Sequence, residues 1–233
     1  MIFDIYAFGE ICFWVIPLVI FFSIIISAFL GSLSANSSYG MQITVAFSYI
    51  FCIGIIVHEA AHRLMCAVFG VKVKETKYFY VDRKKIDGVE YKTPMGYVKF
   101  KDIDSVIASL LLGIAPLIVN GLLVALIFYY GPVLVETVYY GICIYLGISL
   151  AIGSCPSKED LTLWYKVIKK NPGRGLLEFT ILFIFGGVIY ALIVIWQVEL
   201  WITLIVIISF FIIFILQGRA KSSVPRSKYL TKL

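Results

Sequence analysis

Five consecutive residues carry the densest chemistry in this chain: His58-Glu59-Ala60-Ala61-His62, within "GIIVHEAAHRLM" (54–65). On an α-helix, positions i and i+4 share a face, so the two imidazoles can grip one metal ion. Glu59 lies beside that face and is placed to take a proton from a water that the metal activates. The pattern is short, but its surroundings sharpen it. His58 and His62 are the only histidines in the chain, and they end a stretch that is uncharged from Ile11 to Val57. Ionisable groups in a membrane helix are costly and mark function. The bland alternative is a pair of helix histidines satisfied by carbonyls, with Glu59 paired to Arg63.

A catalytic zinc ion takes three protein ligands and leaves one position open. No third histidine exists, so the third ligand is expected to be a carboxylate. Glu136 and Glu199 fall at the far ends of apolar runs. "GSCPSKEDL" (153–161) offers Glu159 and Asp160 directly after Pro156 breaks a run, and Glu178 opens the next run. Each has an ordinary explanation. Ser157-x-x-Asp160 reads as a helix start before the amphipathic "KEDLTLWYKVIKK", and Glu178 lies four residues after Arg174, as in a helical ion pair. The residues alone leave Asp160, Glu159 and Glu178 as candidates.

The elements that must hold these groups are membrane elements. The 233 residues are 61% hydrophobic and 15% charged, with a mean hydropathy of +0.97, too apolar for a soluble domain of this size. Apolar runs between turn signals predict six spans: Ile11–Leu30, Ile43–Phe69, Val106–Tyr130, Val133–Gly153, Leu176–Trp196 and Leu200–Leu216. The first lacks the basic flank of a cleaved signal. Five cysteines show no paired spacing, which argues against a disulfide framework or a cysteine-rich metal site.

The charges order these spans. Of the 20 Lys and Arg residues, nine lie in 70–104, five in 154–175 and five in 217–233, and Arg63 completes the set. The turns 31–40, 131–132 and 197–199 hold none. A six-span chain then places all basic segments, both termini and the histidine motif toward the cytoplasm. The net charge of +6 is accounted for by the membrane surface, and no nucleic-acid partner is expected. Segment 71–104 is too polar to span. Its alternating "VKVKETKYFYV", "GVEYKT" and "MGYVKF" around "KKIDG" predict a small β-rich insertion. The fold expected is an all-α membrane protein in one domain. Residues 1–70 carry the first two spans, 71–104 the insertion, 105–161 two spans and the third-ligand segment, and 162–233 the amphipathic segment, two spans and the basic tail.

The motif in a membrane helix, the β-rich segment ending in "GYVKF" (96–100) and the helix containing "GIAPLIVN" (113–120) resemble the site-2 protease class of intramembrane zinc metalloproteases. The resemblance covers about residues 43–161. It implies zinc bound by His58, His62 and an aspartate from a later helix, which points to Asp160. It also implies Glu59 as the base and Asn120 in contact with substrate or oxyanion. The chain would be a divergent member, similar to small prokaryotic cell-membrane metallopeptidases, cleaving membrane-associated protein or peptide substrates. The rival expectation is a non-catalytic membrane protein whose zinc site is structural or serves metal handling. It gives no reason for a carboxylate at position 59.

Overall fold

The structure, a computed structural model, describes residues 4–86, 89–101, 103–134 and 138–191, with five further helical positions between 205 and 212. Helix α1 (Ile5–Asn36) starts where the Asp4 carboxylate accepts the N–H groups of Tyr6 and Ala7. Its Phe13, Trp14, Phe21 and Phe29 point outward, as a lipid-facing helix requires. Ser37 breaks the helix and caps α2 (Ser38–Ile50) through the Gly40 N–H. At Phe51 the axis bends by 68° into α3 (Cys52–Val68), which carries the histidine motif. Gly70, at a φ of 66°, then turns the chain out of helix.

Strands β1 (Val73–Ile86) and β2 (Val89–Phe100) form an antiparallel hairpin, as the alternation predicted. Its turn residues 87–88 lie outside the described set. The register pairs Lys77 with Tyr97 and Tyr80 with Met95, so Tyr78 and Phe79 together oppose Gly96. That is a β-bulge, a device that bends a strand and re-aims its side chains. The hairpin does not hang free as a surface loop. Both strands pack along α3, and β2 reaches α2, where the buried Tyr91 meets the Ser38 carbonyl.

The rest is helical: α4 (Val106–Gly113), α5 (Ala115–Tyr130), α6 (Val138–Gly153), α7 (Lys158–Lys170) and α8 (Pro172–Tyr190). Two apolar clusters hold it. One joins α1, α5 and α6 through Val15, Val19, Val124, Ala125 and Leu150. The other joins the end of α3, the hairpin root and α4 through Cys66, Ile103, Ala108 and Leu112.

Among the described residues two helices are long and apolar enough to cross a bilayer, Ile5–Ala35 and Ala115–Val133, with a third if the bent α2–α3 pair is one span. The expected second span is broken at Phe51. The expected third is broken at Ile114, because Pro116 cannot continue the α4 hydrogen-bond ladder. The expected fourth shortens to the 16 residues of α6. Most of the sixth, and the basic tail, lie outside the described residues. The Asp4 N–H donates to the Tyr129 hydroxyl at 2.8 Å, joining the start of α1 to the end of α5, two places that six alternating spans set on opposite faces.

Candidate metal centre

Four backbone approaches build the site. At the first, α3 and α6 meet with almost nothing between them. A Cβ on Gly54 would overlap the Ser149 carbonyl, and one on Gly153 would overlap the Gly54 carbonyl. Such small-residue contacts let membrane helices touch backbone to backbone. Polar groups fasten this seam: the Gly54 N–H donates to Ser149 Oγ at 2.8 Å, and Ser149 Oγ donates to the Phe51 carbonyl at 3.1 Å. One helical turn after Gly54, His58 is close enough to α6 for Nδ1 to meet the Gly153 carbonyl at 2.7 Å.

His62, a turn further on and 5% exposed, meets the Leu112 carbonyl with its Nδ1 at 2.9 Å. A carbonyl only accepts, so each ring must donate from Nδ1, and each Nε2 keeps its lone pair. Those two Nε2 atoms converge at 3.2 Å. Asp160 completes the group, Oδ1 at 3.2 Å from His62 Nε2 and Oδ2 at 3.5 Å from His58 Nε2. Among the described residues, these three form the one cluster of side chains suited to a metal ion. Tetrahedral zinc with arms of roughly 2.0–2.2 Å sets its ligand atoms about 3.3–3.6 Å apart. The donor set, two neutral imidazoles and a carboxylate, and its spacing both fit.

Asp160 is brought there by α7. Ser157 Oγ accepts the Asp160 N–H at 3.1 Å, and the Asp160 carboxylate accepts the Ser157 N–H at 2.7 Å, a reciprocal capping box. Asp160 thus serves as a helix start, and the same carboxylate lies with His58 and His62 in a group that could hold a metal ion. Gly113 makes room, since a Cβ there would sit 2.6 Å from the Asp160 carbonyl. The anion is the form that ligates, and it is the form that accepts the Ser157 N–H.

Glu59 is 8% exposed and faces the hairpin. Gly96 lies directly against it, where a methyl group would overlap Glu59 Cγ, so the bulge and its glycine roof this carboxylate. Among the described residues Glu59 makes no ion pair with Arg63, against the bland alternative.

The other candidates are placed elsewhere. Glu159 is exposed on α7. Glu178 is 7% exposed and fully occupied: it accepts from Ser105 Oγ and the Ile107 N–H at the start of α4, and from Arg174 Nε at 2.8 Å. It caps α4 rather than joining the donor group. Asn120, expected to contact substrate, has no exposed surface, and its amide donates to the Leu150 carbonyl at 3.2 Å. That bond ties α5 to α6. Sequence reasoning missed Gly54, Gly153, Gly113 and the two carbonyls. Their signal was faint: glycines near the motif, and Pro116 four residues after Leu112.

Fold and site together define a helical membrane protein with a three-donor group, two histidines from α3 and an aspartate from α7, that could hold a metal ion. Residues 51–174, more than half of the chain, match a family model described as "Putative zincin peptidase", and the chain belongs to that family, DUF3267. No curated protein and no solved structure matches it.

Proposed function

We propose that this chain is a membrane-embedded zinc endopeptidase of the site-2 protease kind, acting on membrane-associated protein or peptide substrates. The observation that carries the reading is the convergence of three electron-pair donors, with both histidine Nδ1 atoms already turned to carbonyls. Without a cation those three atoms would repel one another in a buried corner. His58, His62 and Asp160 would hold zinc, which when bound supplies a Lewis acid and an activated water. Glu59, set round the helix from the histidines, takes the proton during attack and returns it to the leaving amine. The hairpin roofing Glu59 favours an extended peptide over a folded one, because a strand can add to a sheet edge. The basic hairpin and α7 favour a cytoplasmic site, on the charge rule.

A non-catalytic metal-handling role is the second reading. What favours catalysis is Glu59, kept nearly buried beside the donors with no ion pair among the described residues to explain it. The test is zinc content of the purified protein alongside His58→Ala and Glu59→Gln. Stoichiometric zinc in the wild type and Glu59→Gln, none in His58→Ala, and cleavage lowered about 10²–10⁴-fold in Glu59→Gln is expected. Wild-type cleavage by Glu59→Gln would remove Glu59 as the base, and absence of zinc from the wild type would remove the proposal.

A further inference from the structure

We infer that Pro116 is a positioning residue for the metal centre: by lacking an N–H, it leaves the Leu112 carbonyl free to fix His62. This rests on the zinc-site reading above. In an unbroken helix the Leu112 carbonyl would accept from the N–H four residues later. That residue is Pro116, at the first turn of α5, which has none. The Ile114 N–H donates to the Leu110 carbonyl at 3.0 Å and also reaches the Leu112 carbonyl, which keeps a second lone pair for the imidazole. The Leu112 carbonyl therefore accepts from His62 Nδ1, at 2.9 Å and out of water.

The consequence is a choice of tautomer. A neutral imidazole carries one proton, and whichever nitrogen holds it cannot ligate. With Nδ1 as donor, Nε2 is left unprotonated, and Nε2 is the atom that faces His58 and Asp160. The same arrangement recurs at the other ring by a different route. Gly153 is the last residue of α6, and the N–H four residues on, from Ser157, is turned to Asp160. The Gly153 carbonyl is thus free for His58. The Leu112 carbonyl is also held against sliding. It lies near the end of the eight-residue α4, whose start is clamped by Ser105 and Glu178 and whose end abuts the backbone of Asp160.

Pro116→Ala and Pro116→Gly both return an N–H to compete for the carbonyl, yet they differ in helix propensity by about 1 kcal/mol. Zinc affinity, read by chelator competition, is expected to fall roughly 10–100-fold in both, the usual cost of losing a hydrogen bond behind a ligand. With two histidines in the chain, ring ¹⁵N spectra of the metal-free protein should show His62 moving toward the Nε2-protonated form. Pro17→Ala, which returns an N–H inside α1, should leave zinc binding unchanged. Wild-type affinity in both Pro116 variants would overturn the inference and leave the zinc centre standing. So would zinc loss that tracks melting temperature across the variants rather than the returned N–H. A wild type that binds zinc no better than His58→Ala would instead overturn the reading beneath it.

Discussion

Two helix seams in this molecule are built on opposite plans. Where α3 meets α6, the backbones touch at Gly54 and Gly153, and hydroxyls and carbonyls stitch them together; the Tyr145 hydroxyl donating to the Ile50 carbonyl at 2.6 Å extends the stitching past the bend. Where α1 meets α5 and α6, branched side chains interdigitate, with the Asp4–Tyr129 bond at one end. A seam of side chains has slack, because neighbours can repack around a lost methyl. A backbone seam has none, and a metal site tolerates errors of only a few tenths of an ångström. The rigid seam lies where ligands must be aimed, and the adaptable one where a helix only has to stay docked in lipid.

Gly153→Ala should break that contrast most severely. The new methyl would meet the Gly54 carbonyl, part α3 from α6 and pull the Gly153 carbonyl from His58. Destabilisation of about 1–3 kcal/mol is expected from the overpacking, with zinc affinity down roughly 10–100-fold. Thermal melts and chelator competition in detergent measure the two, and unchanged zinc binding would mean that the seam does not aim His58.

Val19→Ala, in the apolar seam, tests the other half. Its loss of contacts should cost about 1 kcal/mol, since lipid or neighbouring side chains can fill the space, and zinc binding should not change. A fall in zinc affinity matching that of Gly153→Ala would erase the distinction between the seams.

The smallest effect concerns the hairpin, outside both. A hydrogen bond from the Tyr97 hydroxyl, and then Lys99, hold the exposed Glu75 carboxyl below its ordinary value. A lowered folded value means that this stabilisation is complete above the unfolded value, about 4.3, and fades as pH falls through the folded one. Amide exchange in β1 and β2 should therefore quicken below about pH 4.3 in the wild type but not further in Glu75→Gln. Equal acid sensitivity in both would detach the effect from Glu75.

Much of the site was legible because its chemistry is local. His58 and His62 had to share a face by helical geometry alone, and Glu59 had to lie beside it. Asp160 was harder, since it reaches the site across a hundred residues of chain, and family resemblance rather than spacing favoured it over Glu159 and Glu178. The bond from the Asn120 amide to the Leu150 carbonyl was out of reach for the same reason, since it joins two distant helices. Hydropathy registers only how apolar a run is, so neither the 68° bend at Phe51 nor the break before Pro116 was visible in it.

By itself the sequence determined the membrane setting, the hairpin between α3 and α4, and two imidazoles with a carboxylate on neighbouring helical positions. Those follow from hydrophobicity and from periods of 2 and 3.6 residues, which act over a few turns of chain. The tertiary structure decided which carboxylate joins them, which nitrogen of each ring is free, and which glycines let the helices close. Those outcomes depend on carbonyls of Leu112 and Gly153 arriving within 3 Å of α3 from distant segments. A backbone carbonyl is present at every residue, so no pattern of side chains can announce which ones will be used.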